Sequence, residues 1–141
     1  MDGTQVLTLG LGLQAPWKLK DQHLDTTSSP HRLELYVEAD RGSLYACPEC
    51  GKACPAHDFA DKSWRHLNFF QHHCYLYARV PRTRCPEHGV KRVEVPWARP
   101  DSGFTLLFEQ AAMSLVREMP VLAVSRQLEV TDKRLWRIVH H

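Results

Sequence analysis

Two short turns constrain this chain more than anything else in it: Cys47-Pro48-Glu49-Cys50-Gly51 and Cys85-Pro86-Glu87-His88-Gly89. Each offers two ligands from a tight loop, and the glycine that follows supplies a φ > 0 step. Together they spell one tetrahedral site of three cysteines and one histidine, with Cys47, Cys50, Cys85 and His88 as ligands of a single structural Zn2+. All four positions are filled by protein, whereas a catalytic zinc keeps one position open.

The chain has five cysteines, an odd count, and opens on Met1-Asp2-Gly3-Thr4-Gln5, with neither a basic stretch nor a long apolar run. No segment has the length of a membrane span. The expected setting is cytoplasmic and reducing, where paired cysteines mean metal more often than disulfide. Cys54 and His57 lie close enough in sequence to compete as ligands, but both fall outside the Pro-x-x-Gly frame. Cys74 sits in a strand-like run and reads as a small buried hydrophobe. The run His72-His73-Cys74 reads as an exposed loop beside that thiol rather than as a second metal site.

Charge is uneven along the 141 residues. Residues 1–61 carry 5 basic and 9 acidic side chains, and residues 62–141 carry 13 and 7. A polyanion would therefore meet the second half, although an ordinary solvated surface has the same composition. Asp21, Asp25, Glu34, Glu38 and Asp40 lie on or beside hairpin strands, where solvated charge explains them. A phosphoryl-transfer site needs carboxylates converging on two divalent ions. The chain is therefore read as non-catalytic.

The expected fold class is α+β, a small β-rich zinc ribbon over residues 1–99 followed by an all-α, three-helix helix-turn-helix unit over residues 100–141. Lys18–Leu24 and Arg32–Ala39 form a first hairpin, with Leu33, Leu35 and Val37 alternating onto one face and a turn at Thr26–Pro30. Trp64–Phe70 and Tyr75–Val80 form a second hairpin around Gln71-His72-His73, and Arg92–Val95 a last strand. A ribbon this small has little core, so metal binding would supply much of its folding energy. The tryptophans read as packing residues, with Trp136 as the exception.

After Pro100 the period changes. Phe104, Phe108, Ala111, Leu115 and Met119 share one helical face, with Asp101 or Ser102 as N-cap and Pro120 as the stop. Val121, Val124 and Leu128 give a second helix, Glu129-Val130 a turn, and Thr131 the cap of a third helix that buries Leu135 and Ile138. This is helix-turn-helix spacing, and a plain three-helix bundle packed on the ribbon is the alternative. Glu129 stands where the turn needs φ > 0, at a cost of about 1 kcal/mol for a residue other than glycine. The third helix would read base edges through Thr131, Lys133, Arg134 and Arg137. Arg79, Arg82, Arg84, Lys91 and Arg92 would hold phosphates.

In order along the chain stand Leu11-Gly12-Leu13 with Pro16-Trp17, Cys47–Gly51, Trp64-Arg65-His66-Leu67, Arg84–Gly89, Val95-Pro96-Trp97-Ala98 and Leu135-Trp136-Arg137-Ile138. From about Leu9 to His141 this set resembles the N-terminal part of bacterial ISL3-family insertion-sequence transposases. The resemblance implies that Cys47, Cys50, Cys85 and His88 hold zinc. It implies that the segment from Pro120 to His141, with His140-His141 in the recognition helix, contacts double-stranded DNA at the element's terminal inverted repeats. It also implies a separate Asp-Asp-Glu catalytic domain, which this chain lacks, so the chain reads as a fragment or truncated form. A homodimer or a second DNA contact would strengthen a single helix-turn-helix. No membrane or small-molecule partner is expected. A stand-alone zinc-dependent repressor and a zinc-ribbon protein–protein assembly module are the other readings.

Overall fold

A computed structural model describes residues 11–69 and 72–141. The first ten residues, Phe70 and Gln71 lie outside it, and with them the expectations for the N-terminus and for the tip of the second hairpin.

Six strands form one mixed sheet: β1 (Trp17–Asp25), β2 (Arg32–Ala39), β3 (Leu44–Ala46), β4 (Ala53–Phe69), β5 (His72–Cys85) and β6 (Gly89–Arg92). Their spatial order is β1-β2-β5-β4-β3, with β6 beside the last residues of β5. The expected first hairpin is present, antiparallel, with Leu24 opposite Leu33 and Leu19 opposite Val37. Alternation along β2 buries Leu35 and Val37 and leaves Tyr36 exposed, as a sheet with one covered face requires.

The expected second hairpin is far longer than its predicted strands. β4 starts at Ala53 rather than Trp64, and His72 and His73 are the first residues of β5 rather than loop. The pairing of β4 with β5 runs from Ala56 opposite Thr83 to Phe69 opposite His72, interrupted by a bulge at His57. β2 joins the other edge of β5 in parallel, Leu35 opposite Leu76. β6 covers Gly89–Arg92 and not Arg92–Val95, because the turn after Cys85 is tight enough to start pairing at once.

Leu35, Val37, Trp64, Leu76, Ala78 and Val80 build the sheet's core together with Trp17 and Trp97. Trp97 belongs to the segment leading to the helices. It meets Trp17 and Trp64 edge-on, with ring centroids 5.1 and 5.3 Å apart. Edge-to-face contacts of this kind add about 1 kcal/mol each to the area they bury.

Three helices follow: α1 (Leu106–Glu118), α2 (Val121–Leu128) and α3 (Asp132–Val139). Phe104, Phe108, Ala112, Val124, Leu135 and Ile138 form their common core. The N-cap of α1 is Thr105, whose hydroxyl accepts from Phe108 N–H at 3.3 Å. Asp101 and Ser102 do not cap it: Asp101 takes a left-handed φ of 64° in the preceding turn. α3 ends at Val139, with His140 as its C-cap.

The expected fold class is overturned. The molecule is mostly β, and its three short helices do not make a separate all-α unit beside a small ribbon. They are built onto the sheet. Phe104 bridges to Arg65 of β4, with Arg65 N–H donating to Gly103 and Thr105 N–H donating to Arg65. Leu67 of β4 packs into the helical core. Leu106 N–H donates to Trp97, and Arg99 grips the buried Glu109 of α1 with Nε to Oε1 at 2.9 Å. The helices bury too little against one another to dispense with the strand beside them.

Candidate metal centre and nucleic-acid interface

Cys47 and Cys50 occupy the turn between β3 and β4. Cys85 ends β5, and His88 lies in the turn into β6. Gly51 and Gly89 take the expected left-handed φ, 77° and 74°. Gly51 N–H donates to Cys47 C=O at 2.8 Å, and Cys47 N–H to Lys52 C=O at 2.9 Å. These bonds close the first knuckle and turn both thiols inward.

The four ligand atoms all lie within 4.8 Å of one another. Cys50 Sγ to Cys85 Sγ is 3.7 Å, Cys85 Sγ to His88 Nδ1 3.6 Å and Cys47 Sγ to His88 Nδ1 3.8 Å. A tetrahedral zinc with Zn–S bonds of ~2.3 Å requires sulfur–sulfur edges of ~3.8 Å. The donor set and its spacing therefore fit Zn2+, bound through His88 Nδ1. The backbone N–H of Glu87, then the side chain of His88, draws the Cys85 thiol down to about 6. At neutral pH Cys85 is already a thiolate, the form that binds metal.

Cys54 is not a ligand. It packs against Cys47 and Cys85, points its thiol at Lys52 C=O 3.3 Å away, and is pushed up by burial. His57 is exposed at the β4 bulge. Cys74 lies in the sheet core, and its thiol is pushed up by burial to about 11. Among the described residues, the four knuckle positions are the one group of three or more metal-binding side chains, and His72 and His73 join no such group.

The turn between α2 and α3 takes the expected shape. Glu129 is left-handed at φ 57°, ψ 44°. Thr131 caps α3, its hydroxyl accepting from Arg134 N–H at 3.2 Å. Leu135 and Ile138 face inward, while Lys133, Arg134, Trp136 and Arg137 are exposed. Arg134 is not free, because its guanidinium lies 4.4 Å above the ring of Phe104.

Sequence reasoning misses how this turn is held. Arg65, buried to 4% exposure, reaches from β4 under the end of α2. It donates to Leu128 C=O at 3.0 Å, to Glu129 C=O at 3.4 Å and to Asn68 at 3.1 Å. His73 of β5 pairs with the Glu129 carboxylate. A cation on the last carbonyls of a helix is the favourable sense of the helix dipole.

The other basic candidates lie at the metal end of the sheet. Arg82 stands opposite Arg92, and Arg84 opposite Val90. Arg82 is engaged by Asp58, Nε to Oδ1 at 2.8 Å, and Arg79 lies 3.8 Å from Asp61 and over Phe59. Arg84, Lys91 and Arg92 are exposed, and no ion pair involves them among the described residues. No described helix is long and apolar enough to cross a membrane.

Residues 44–88 match a family described as the zinc-finger of transposase IS204/IS1001/IS1096/IS1165, and residues 93–141 match the helix-turn-helix domain of transposase family ISL3. The chain is similar to the transposase for insertion sequence element IS1557 of Mycobacterium tuberculosis, strains CDC 1551 and H37Rv. Identity is 32% over 117 residues, which is 82% of this chain. The chain spans about a quarter of those relatives' length, 26%. No solved structure was found to match it.

Proposed function

We propose that this chain, which carries the zinc-finger and helix-turn-helix regions of ISL3-family transposases, finds and grips double-stranded DNA at the terminal inverted repeats of an insertion sequence. The observation that carries this reading is the shape of residues 120–141: a helix ended by a left-handed Glu129, a Thr131 cap, and α3 offering Lys133 and Arg137 on its open face.

In this reading α3 lies in the major groove, where Lys133 and Arg137 meet base edges. Arg134, held over Phe104, and Thr131 flank the groove wall and serve phosphates. Arg84, Lys91 and Arg92, with Arg82, add sequence-independent phosphate contacts from the metal end. Zn2+ on Cys47, Cys50, Cys85 and His88 supplies fold and no chemistry to DNA. The Asp-Asp-Glu strand-transfer chemistry belongs to another part of such a transposase, and pairing of two copies would strengthen binding of paired repeats.

The test is a binding titration of the zinc-loaded chain on a duplex carrying the inverted repeats that flank the gene, against a scrambled duplex. Preference for the repeat by about a hundredfold or more, lost in Arg137→Ala, supports the assignment. Equal affinity for both duplexes, or equal loss on both in the variant, removes it.

A further inference from the structure

We infer that Trp136, stacked on His140, contacts the 5-methyl group of a thymine in the major groove and so fixes the base preferred at that position. The inference rests on the placement of α3 proposed above.

Trp17, Trp64 and Trp97 are 5%, 7% and 2% exposed, whereas Trp136 is 43% exposed. The inward face of α3 is complete without it, because Leu135 and Ile138 already fill that face at 0% and 5% exposure. At about 100° per residue, Lys133, Trp136, Arg137 and His140 share the half of the helix opposite Leu135 and Ile138. A large apolar ring therefore stands beside two cations on the surface assigned to DNA.

The ring is also held in place. Trp136 and His140 stack with centroids 5.0 Å apart and planes at 15°, the i, i+4 contact available to helical neighbours. An indole fixed before binding loses little rotamer freedom on docking. Its chemistry narrows the partner. Indole offers one N–H donor and no acceptor, so its broad face reads no hydrogen-bonding edge. The thymine methyl is the apolar group that the major groove displays, and Lys133 and Arg137 match the phosphates around it.

The experiment uses the full zinc-loaded chain and duplexes recovered from a randomised pool by repeated selection for binding. Each thymine is then replaced singly by deoxyuridine, which removes the methyl and leaves the hydrogen-bonding edge intact. The expected result is a loss of about fourfold at one or two positions, the worth of one buried methyl, with little change elsewhere. Trp136→Ala should bind the thymine and uracil duplexes alike, and Trp136→Phe should keep part of the difference. Thermal melts of both variants should match the parent, since the side chain lies outside the core.

Indifference of the parent to every thymine replacement overturns the inference. So does a Trp136→Ala variant that still distinguishes thymine from uracil, or one that weakens all duplexes by the same factor, which would mark a contact with the sugar–phosphate wall. If no duplex is recovered from the pool, the placement of α3 on DNA falls first and takes this inference with it.

Discussion

The guanidinium of Arg65, in the middle of the sheet, donates to the carbonyl oxygen of Leu128, the last residue of α2, at 3.0 Å. A strand side chain thus closes the turn that sets the angle between the two helices. Replacing Arg65 with Met should cost about 2 kcal/mol, the range for charged hydrogen bonds lost from buried carbonyls. Arg65→Lys should recover little, since one ammonium cannot span two carbonyls and Asn68. Urea unfolding of the three proteins measures this, and an unchanged midpoint in Arg65→Met would refute it.

Glu129→Gly should act in the opposite direction. Glycine takes the left-handed conformation without a Cβ penalty of about 1 kcal/mol. The ion pair lost with His73 joins a half-exposed carboxylate and is worth at most about 1 kcal/mol. The net expectation is an equal or slightly higher melting temperature. A drop of several degrees would mean that the His73 contact outweighs the strain.

Metal content should be one Zn2+ per chain, released by a strong chelator with loss of the cooperative melt. Cys47→Ser, Cys50→Ser and Cys85→Ser should each abolish tight binding, while His88→Cys should keep it as an all-cysteine site. Cys54→Ser and Cys74→Ser should retain one equivalent. A zinc stoichiometry of two, or loss of zinc in Cys54→Ser, would redraw the site.

Stability should fall in mild acid through His66. Burial lowers its affinity for a proton, and its Nδ1 lies 2.7 Å from the Thr105 hydroxyl that caps α1. Its folded-state pKa lies below the unfolded value of ~6.5, so the unfolded chain binds the proton more readily. The contribution is complete above that pH and is lost as pH drops through it, by up to about 1.4 kcal/mol per pH unit. Denaturant midpoints between about pH 7.5 and 5.5, spanning that unfolded value, with zinc saturating, should converge for parent and His66→Gln as the pH falls. Parallel profiles would rule His66 out as the source.

The knuckles are legible in the sequence because a metal demands its ligands at fixed local spacing, and all four come together as read. The α2–α3 turn is legible for a similar reason: Thr131 caps α3 and Glu129 takes the strained conformation that the spacing requires. The first half of β4 is not. The bulge at His57 breaks the two-residue period, and Asp58 and Asp61, exposed charges that satisfy Arg82 and Arg79 across the strand pair, look like loop. The parallel pairing of β2 with β5 leaves no local signal, because it joins segments about 40 residues apart through side chains that suit either hairpin or crossover. Arg65 is invisible for the same reason. Its partners, Leu128 and Glu129, lie 63 and 64 positions away, and a lone arginine between Trp64 and His66 announces nothing. The all-α unit expected after Pro100 fails at Trp97 and Phe104, whose aromatic character fits a helical core or a sheet core equally well.

The β4–β5 pair has the metal at one end and the helix turn at the other. Strand side chains alternate between faces, so a slip of a single residue would carry Arg65 to the wrong side of the sheet and leave the Leu128 and Glu129 carbonyls unanswered. Cys47 and Cys50 sit just before β4, and Cys85 closes β5, so one ion fastens both strands where their alignment is set. The zinc is therefore a register pin. It touches neither helix of the DNA-facing turn, yet it decides which side chain of β4 arrives beneath them.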